Sequence, residues 1–194
     1  MAFDSESGDV YLATGSYIVR LDNQGVLHVL VEDENSRESR ETGEDRPTPE
    51  YQDVEVVGEG AAAFGGFYAV ALNERIGDLF FFDGRRIFRL GRDLKAHAIA
   101  GTGTGVPIPD DGDVSFAPDA DSGSLYFVSD DRVFRIDASG MATVVAGSGE
   151  YNDAATPDGP ALEVALASPL LIIGPNEKLY IMNEYPPQVQ VLER

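Results

Sequence analysis

Ala100-Gly-Thr-Gly-Thr-Gly105 decides the fold. Three glycines on alternate positions after an apolar run are either a loop that cradles phosphate or punctuation in something repetitive. A dinucleotide-binding loop is GxGxxG and opens a helix whose N-terminus holds the pyrophosphate. Here the spacing is GxGxG, and Val106-Pro-Ile-Pro-Asp-Asp-Gly112 follows. Pro107 and Pro109 exclude a helix start of useful length. No Gly-Lys-Ser/Thr follows, so a P-loop is excluded too. The motif also recurs, as Val56-Val-Gly-Glu-Gly60 and Val145-Ala-Gly-Ser-Gly149. The first glycines fall at 58, 101 and 147, which are 43 and 46 residues apart. Supersecondary units repeat at such intervals; phosphate loops do not.

Further columns share that period. Val10-Tyr-Leu12, Leu79-Phe-Phe81, Leu125-Tyr-Phe127 and Leu179-Tyr-Ile181 are apolar–aromatic–apolar triplets, each preceded by a turn. Thr14, Asp83, Ser129 and Asn183 follow the aromatics by three. A repeated short polar residue is either a turn cap or one of a ring of ligand-facing oxygens, and recurrence in every unit favours the cap. Next come Ile18-Val-Arg-Leu21, Ile87-Phe-Arg-Leu90, Val133-Phe-Arg-Ile136 and Val189-Gln-Val-Leu192, which alternate as strands with one wet face. Residues 26–31, 94–100 and 141–146 lead as outer strands toward the glycines, and 67–72, 113–116 and 170–173 suit innermost strands, with 1–4 as a stub of a first one. Only 161–167 has room for two helical turns. Four short strands in roughly 45 residues, repeated, predict an all-β fold, a β-propeller of four-stranded antiparallel blades. The chain is expected to be a single domain over 1–194. Residues 32–55 hold ten acids and three arginines and read as a solvated, flexible insertion.

Composition narrows the function. Thirty-four acids against 14 bases give a net charge of −20, which disfavours nucleic acid and anionic lipid and favours cations or basic protein surfaces. Without cysteine there is neither thiolate catalysis nor a disulfide, and compartment stays open. The first residues lack the basic and apolar regions of a signal peptide, and no apolar run is long enough to span a membrane. Twelve of the 14 bases are arginine, the bias of a GC-rich bacterial genome.

Arg20, Arg89 and Arg135 share one column, either a cationic stripe for an acidic partner or three pairings with carboxylates of the adjoining blade. Tyr185, before two prolines, is a candidate contact bump. Asp110, Asp111, Asp113, Asp119 and Asp121 are the metal candidates, with calcium the cation such oxygens suit. Against calcium, the later bidentate Glu of a calcium loop is missing, so a hydrated turn competes. His28 and His97 occupy comparable places in outer strands and read as repeated strand residues.

Residues 144–181 resemble the joint between NHL repeats, through Gly147-Ser-Gly149, Asp158-Gly-Pro-Ala161, Leu166-Ala-Ser-Pro169 and Lys178-Leu-Tyr180. They depart from that pattern in lacking an Asp-x-x-Asn after the Leu-Tyr strand, and the joint at 103–115 is shortened. The resemblance implies a propeller that serves as a binding platform, chiefly for proteins. It also implies more blades than the four counted here, so a partial or partner-completed ring is expected over a closed four-blade one. The expected function is therefore a non-catalytic interaction module without a cofactor, bound to a protein partner or to itself. The alternative is a divalent-metal-dependent lactonase or hydrolase on the same scaffold, for which Asn183 and Glu184 are the residues at hand.

Overall fold

The computed structural model describes residues 1–33, 35, 36, 38, 50, 51, 55–57, 64–101, 104, 106, 108, 114–150, 159–174, 178–183 and 187–192. It is all-β apart from helical residues 35, 36 and 38, where the Asp33 carboxylate caps the turn by accepting the Ser36 amide at 2.8 Å. The chain divides into two units, residues 1–112 and 113–194, with two sheets in each.

In the first unit, the first sheet runs β1 (Ala2–Phe3), β2 (Val10–Ala13), β3 (Tyr17–Leu21), β4 (Leu27–Glu32) and β5 (Glu50–Tyr51) in spatial order. The second sheet contains β6 (Glu55–Val57), β7 (Ala69–Asn73), β8 (Asp78–Phe82), β9 (Arg86–Leu90) and β10 (Lys95–Gly101), in the order β6-β10-β9-β8-β7. Neighbours are antiparallel except β5 on β4 and β6 on β10, which add parallel to the outer edges. Those two strands come from the acidic segment and its exit, so residues 50, 51 and 55 are paired; the rest of 32–55 lies mostly outside the described residues.

In the second unit, β11 (Phe116–Pro118), β12 (Leu125–Ser129), β13 (Arg132–Ile136) and β14 (Ala142–Ala146) form a four-stranded antiparallel sheet. β15 (Leu170–Ile173), β16 (Leu179–Asn183) and β17 (Gln188–Leu192) form a three-stranded one. The first three sheets follow the sequence columns of apolar triplet, arginine-bearing strand and outer strand beside an inner strand, and the last sheet follows the first three places with β17, which carries no arginine, in the third. The third inner strand lies later than expected, at 116–118 rather than 113–116, because pairing of Phe116 with Phe127 and Pro118 with Leu125 sets its place. Pro118 is tolerated there because an edge strand does not need its missing N–H.

Each unit buries its own core between its two sheets. In the first unit, Ile18, Leu30 and Val31 meet Phe67, Val70, Phe81, Phe88 and Ala96. The Phe81 and Phe88 rings stack at 5.1 Å, with Phe64 edge-on to both. In the second unit, Tyr126, Val128, Val133 and Ala146 meet Leu171, Leu179 and Ile181 across Val164 and Leu166 of the joint. β8 and β12 are buried along their whole length, which is why they read as unbroken apolar runs.

The expected helical turns at 161–167 are ordinary turns and bends. The reason is that joint carbonyls serve another strand: Ala161 accepts the Gly147 amide and Val164 the Ser148 amide, both at 2.8 Å. The outer strands share a feature invisible in one strand alone. Pairing of β4 on β3, β10 on β9 and β14 on β13 slips by one residue, leaving Leu30, Ile99 and Val145 as equivalent bulges.

Candidate functional site

Gly101 and Gly147 sit where an outer strand ends against the hairpin turn before the arginine strand, and Gly58, Gly60, Gly103 and Gly105 lie outside the described residues. Gly101 has φ +97° and Gly147 φ +89°, a region that favours glycine. A Cβ on Gly101 would stand 2.1 Å from the Arg85 carbonyl oxygen, and one on Gly147 2.4 Å from that of Asp131. The Gly101 amide donates to the Val106 carbonyl at 2.7 Å and the Gly147 amide to Ala161. Amides already bonded within the protein are not aimed at a phosphate. These glycines permit close backbone approach.

The polar columns are occupied locally as well. Arg20 approaches Asp9 at 3.5 Å and Arg89 pairs with Asp78, the residues that open the apolar triplets of the same sheets. This corrects the expectation of carboxylates from an adjoining blade: antiparallel pairing sets Arg20 opposite Tyr11 and Arg89 opposite Phe80, diagonal to those aspartates. Arg135 lies opposite Tyr126, with Ser124 rather than an aspartate at the diagonal place, and is within electrostatic reach of Asp137. His28 and His97 occupy matching positions, opposite Arg20 and Arg89.

Thr14 and Asp83 behave as turn caps. The Thr14 hydroxyl donates to the Tyr17 carbonyl at 3.1 Å, and Asp83 accepts the Arg85 and Arg86 amides at 3.0 and 2.7 Å. Asn183 departs from the column. Its Oδ1 reaches 16 residues back to accept the Ala167 amide at 3.3 Å, fastening the joint to β16.

Asp119 belongs to a column that inspection for calcium spacing passes over. Asp4, Asn73 and Asp119 each precede a positive-φ glycine by four, at Gly8, Gly77 and Gly123, and each carbonyl accepts that glycine's amide. Each side-chain oxygen takes amides of its own turn; for Asp119 these are Asp121 at 3.0 Å and Ser122 at 3.3 Å, with the Ser122 hydroxyl at 2.6 Å on the other oxygen. The recurring Asx-x-x-x-Gly is legible in the sequence and places Asp119 in a turn. Asp110, Asp111, Asp113, Tyr185 and Glu184 lie outside the described residues. Among the described residues, no three acids or histidines are grouped as metal ligands.

Two further turns carry depressed carboxylates. The His28 ring nitrogen 2.9 Å from Asp22, with the Val26 amide at 2.8 Å, holds that carboxyl below the ordinary range. The Ser139 hydroxyl at 2.5 Å and the Met141 amide at 3.0 Å do so for Asp137. A carboxyl lower in the folded than in the unfolded chain adds stability above its unfolded value, about 3.9, which disappears as pH falls through the folded one. Asp137→Asn is therefore expected to make stability fall less steeply below about pH 4, read from urea midpoints at stepped pH. An unchanged slope would show that Asp137 does not contribute.

The last sheet differs from the other three. Its inner face, with Leu171, Leu179 and Ile181, lies in the core, whereas its outer face is open. Register places Leu170, Met182 and Val189 in one cross-strand row and Ile172, Tyr180 and Val191 in the next. Leu170 is 57% exposed, Ile172 50%, Val189 61% and Val191 48%. Beside β17 is a cleft of about 250 Å³ lined by Ala146, Ala161, Val164, Ile181, Gln190 and Leu192.

No protein-family model matches the chain, and no curated protein does. Solved structures do. A Bacteroides thetaiotaomicron structural-genomics protein of unknown function superposes with TM-score 0.63 at 13% identity, over 97% of this chain and 46% of that one. An auxiliary nutrient binding protein from the same organism gives 0.61 at 12%, over 98% and 46%. One from Bacteroides ovatus gives 0.58 at 16%, over 99% and 47%. At such identities the likeness is one of fold, and this chain spans under half the length of these proteins.

Proposed function

We propose that this chain is a non-catalytic protein-interaction module whose four sheets are NHL-like blades of a propeller or part of one. One observation carries the reading: the outer face of the last sheet presents six apolar residues in two cross-strand rows, three of them half or more exposed and Val191 close behind. Contiguous apolar surface of this kind marks interaction sites rather than solvent-facing sheet. Among the described residues, the Asp83 and Asp119 carboxylates accept amides of their own turns, which supports it. Description of two structural neighbours as nutrient binding proteins places them among binders too.

Light scattering after size exclusion tests the reading, alongside lactone hydrolysis with and without Ca²⁺. The wild-type chain is expected to run above its 20.9 kDa monomer mass and Leu170→Lys/Ile172→Lys to return to it, with no turnover in either. A strict monomer that hydrolyses lactones on Ca²⁺ addition supports the rival enzyme.

A further inference from the structure

Arg85 differs from the arginines around it. Arg20, Arg86 and Arg89 pair with Asp9, Asp83 and Asp78, and Arg132 donates to the Ser148 carbonyl at 2.9 Å. Arg85 is exposed, and among the described residues its guanidinium has neither a hydrogen bond nor a carboxylate. In a chain with 34 acids against 14 bases, that is a departure from the pattern.

Close by is Tyr68, the most exposed aromatic side chain among the described residues, at 67%. Its backbone is fixed on both sides. Phe67 exchanges two hydrogen bonds with Gly15, at 2.6 and 3.2 Å, and the Tyr68 amide donates to the Phe82 carbonyl at 3.1 Å. The ring is seated as well. A Cβ on Gly84 would stand 3.0 Å from ring atom Cε2, and one on Gly66 3.5 Å from the Tyr68 hydroxyl oxygen. One ring edge therefore rests where two glycines leave room, with the buried Phe82 ring 6.2 Å away. Gly84 has φ +86° in the hairpin between β8 and β9, and Arg85 follows it directly. The Arg85 amide is itself held by Asp83 at 3.0 Å. Ring and guanidinium thus flank one patch and are presented from hydrogen-bonded backbone. An aromatic ring seated this way has little freedom left to lose on contact, which is the preparation a binding site needs.

We infer that Tyr68 and Arg85 bind a small ring-shaped ligand carrying one carboxylate. The ligand's ring stacks on Tyr68, and its carboxylate takes the guanidinium, whose fork matches two carboxylate oxygens. Charge limits the class. The chain's −20 opposes every further negative charge, so a nucleotide, a phosphate ester or an acidic peptide is repelled more than a monoanion. A neutral ring leaves Arg85 unused. Two kinds of molecule share this chemistry, a planar aromatic acid and a pyranose acid with an apolar C–H face. The site lies in the first unit and does not depend on the interaction-module reading.

Benzoate and glucuronate are titrated into the full chain, with the tyrosine ring signals followed by NMR. Saturable shifts of the Tyr68 signal by one or both acids are expected, and the acid that acts identifies the source. Tyr68→Ala and Arg85→Gln are each expected to weaken binding about tenfold or more, and Tyr68→Phe by no more than about twofold. Benzamide and methyl glucoside, which lack the charge, are expected to bind about tenfold more weakly than the matching acid. Both side chains are exposed, so the variants are expected to keep the wild-type urea midpoint. Failure of both acids to shift Tyr68, or binding that survives either Tyr68→Ala or Arg85→Gln, would overturn the inference. Neither result alters the mass seen by light scattering, so failure here and failure of the interaction-module reading are told apart.

Discussion

Gly147→Ala and Gly101→Ala are expected to destabilise the chain by about 2–5 kcal/mol each, as the left-handed backbone penalty and the overpacking penalty combine. A Cβ on Gly147 meets three neighbours at or inside 3.0 Å: the Asp131 carbonyl oxygen, the Arg132 Cα and the Leu166 side chain. At Gly101 it meets the Arg85 oxygen at 2.1 Å and the Arg86 Cα at 2.8 Å. Backbone cannot swing aside as a lysine tip can. Both sites also lie beside the bulge of the outer strand, where pairing has already slipped by one. Gly140→Ala separates the two causes. Its φ is +86° but nothing lies within 4 Å of a Cβ there, so it is expected to cost only about 1–2 kcal/mol. Urea unfolding of the three variants gives the comparison. Stability of the Gly101 and Gly147 variants no lower than that of Gly140→Ala would show that the close approach contributes nothing.

Much of this architecture is legible from one strand at a time. Leu79–Phe81 and Leu125–Phe127 stand out because a strand buried on both faces needs apolar residues throughout, and Leu170–Ile173 is delimited as read. What escapes is whatever two strands decide together. The bulges at Leu30, Ile99 and Val145 exist only as mismatches between partners, and no single stretch announces them. The arginine partners are another case: Asp9 and Asp78 lie 11 residues before Arg20 and Arg89, and only antiparallel register brings them together. Residues 161–167 have helical composition, yet carbonyls bonded to Gly147 and Ser148 are not free for a helix. For the candidate site the difficulty is of another kind. Asp119 and Asp121 have the spacing of a calcium loop, but the same spacing serves an Asx turn, and Asp4…Gly8 and Asn73…Gly77 show which use recurs. The apolar rows of the last sheet were readable as strands; that one face stays open depends on what packs there, which local sequence does not encode.

Asp83→Ala is expected to cost about 3–5 kcal/mol, as loss of one partner from a buried ion pair does. Asp83 is almost fully buried, and its two oxygens divide the work. Oδ1 accepts the Arg85 and Arg86 amides at 3.0 and 2.7 Å, closing the hairpin between β8 and β9. Oδ2 accepts two bonds from the Arg86 guanidinium, from Nε at 3.1 Å and Nη2 at 2.8 Å. Alanine removes all four and leaves a mostly buried guanidinium over the Phe88 ring without that carboxylate. Asp83→Asn keeps an oxygen for the amides but not the charge, so it is expected to fall between wild type and alanine. Thr14→Ala, in the same column of the first sheet, removes one exposed hydroxyl bond and is expected to cost less than about 1 kcal/mol. That ordering, Asp83→Ala far above Thr14→Ala, follows from burial and bond count alone. A ring of ligand-facing oxygens predicts the reverse emphasis, because a carboxylate held for a ligand is strained in its absence and its removal stabilises the fold. Thermal and urea unfolding of the three variants decide whether this column holds the hairpins or faces a ligand.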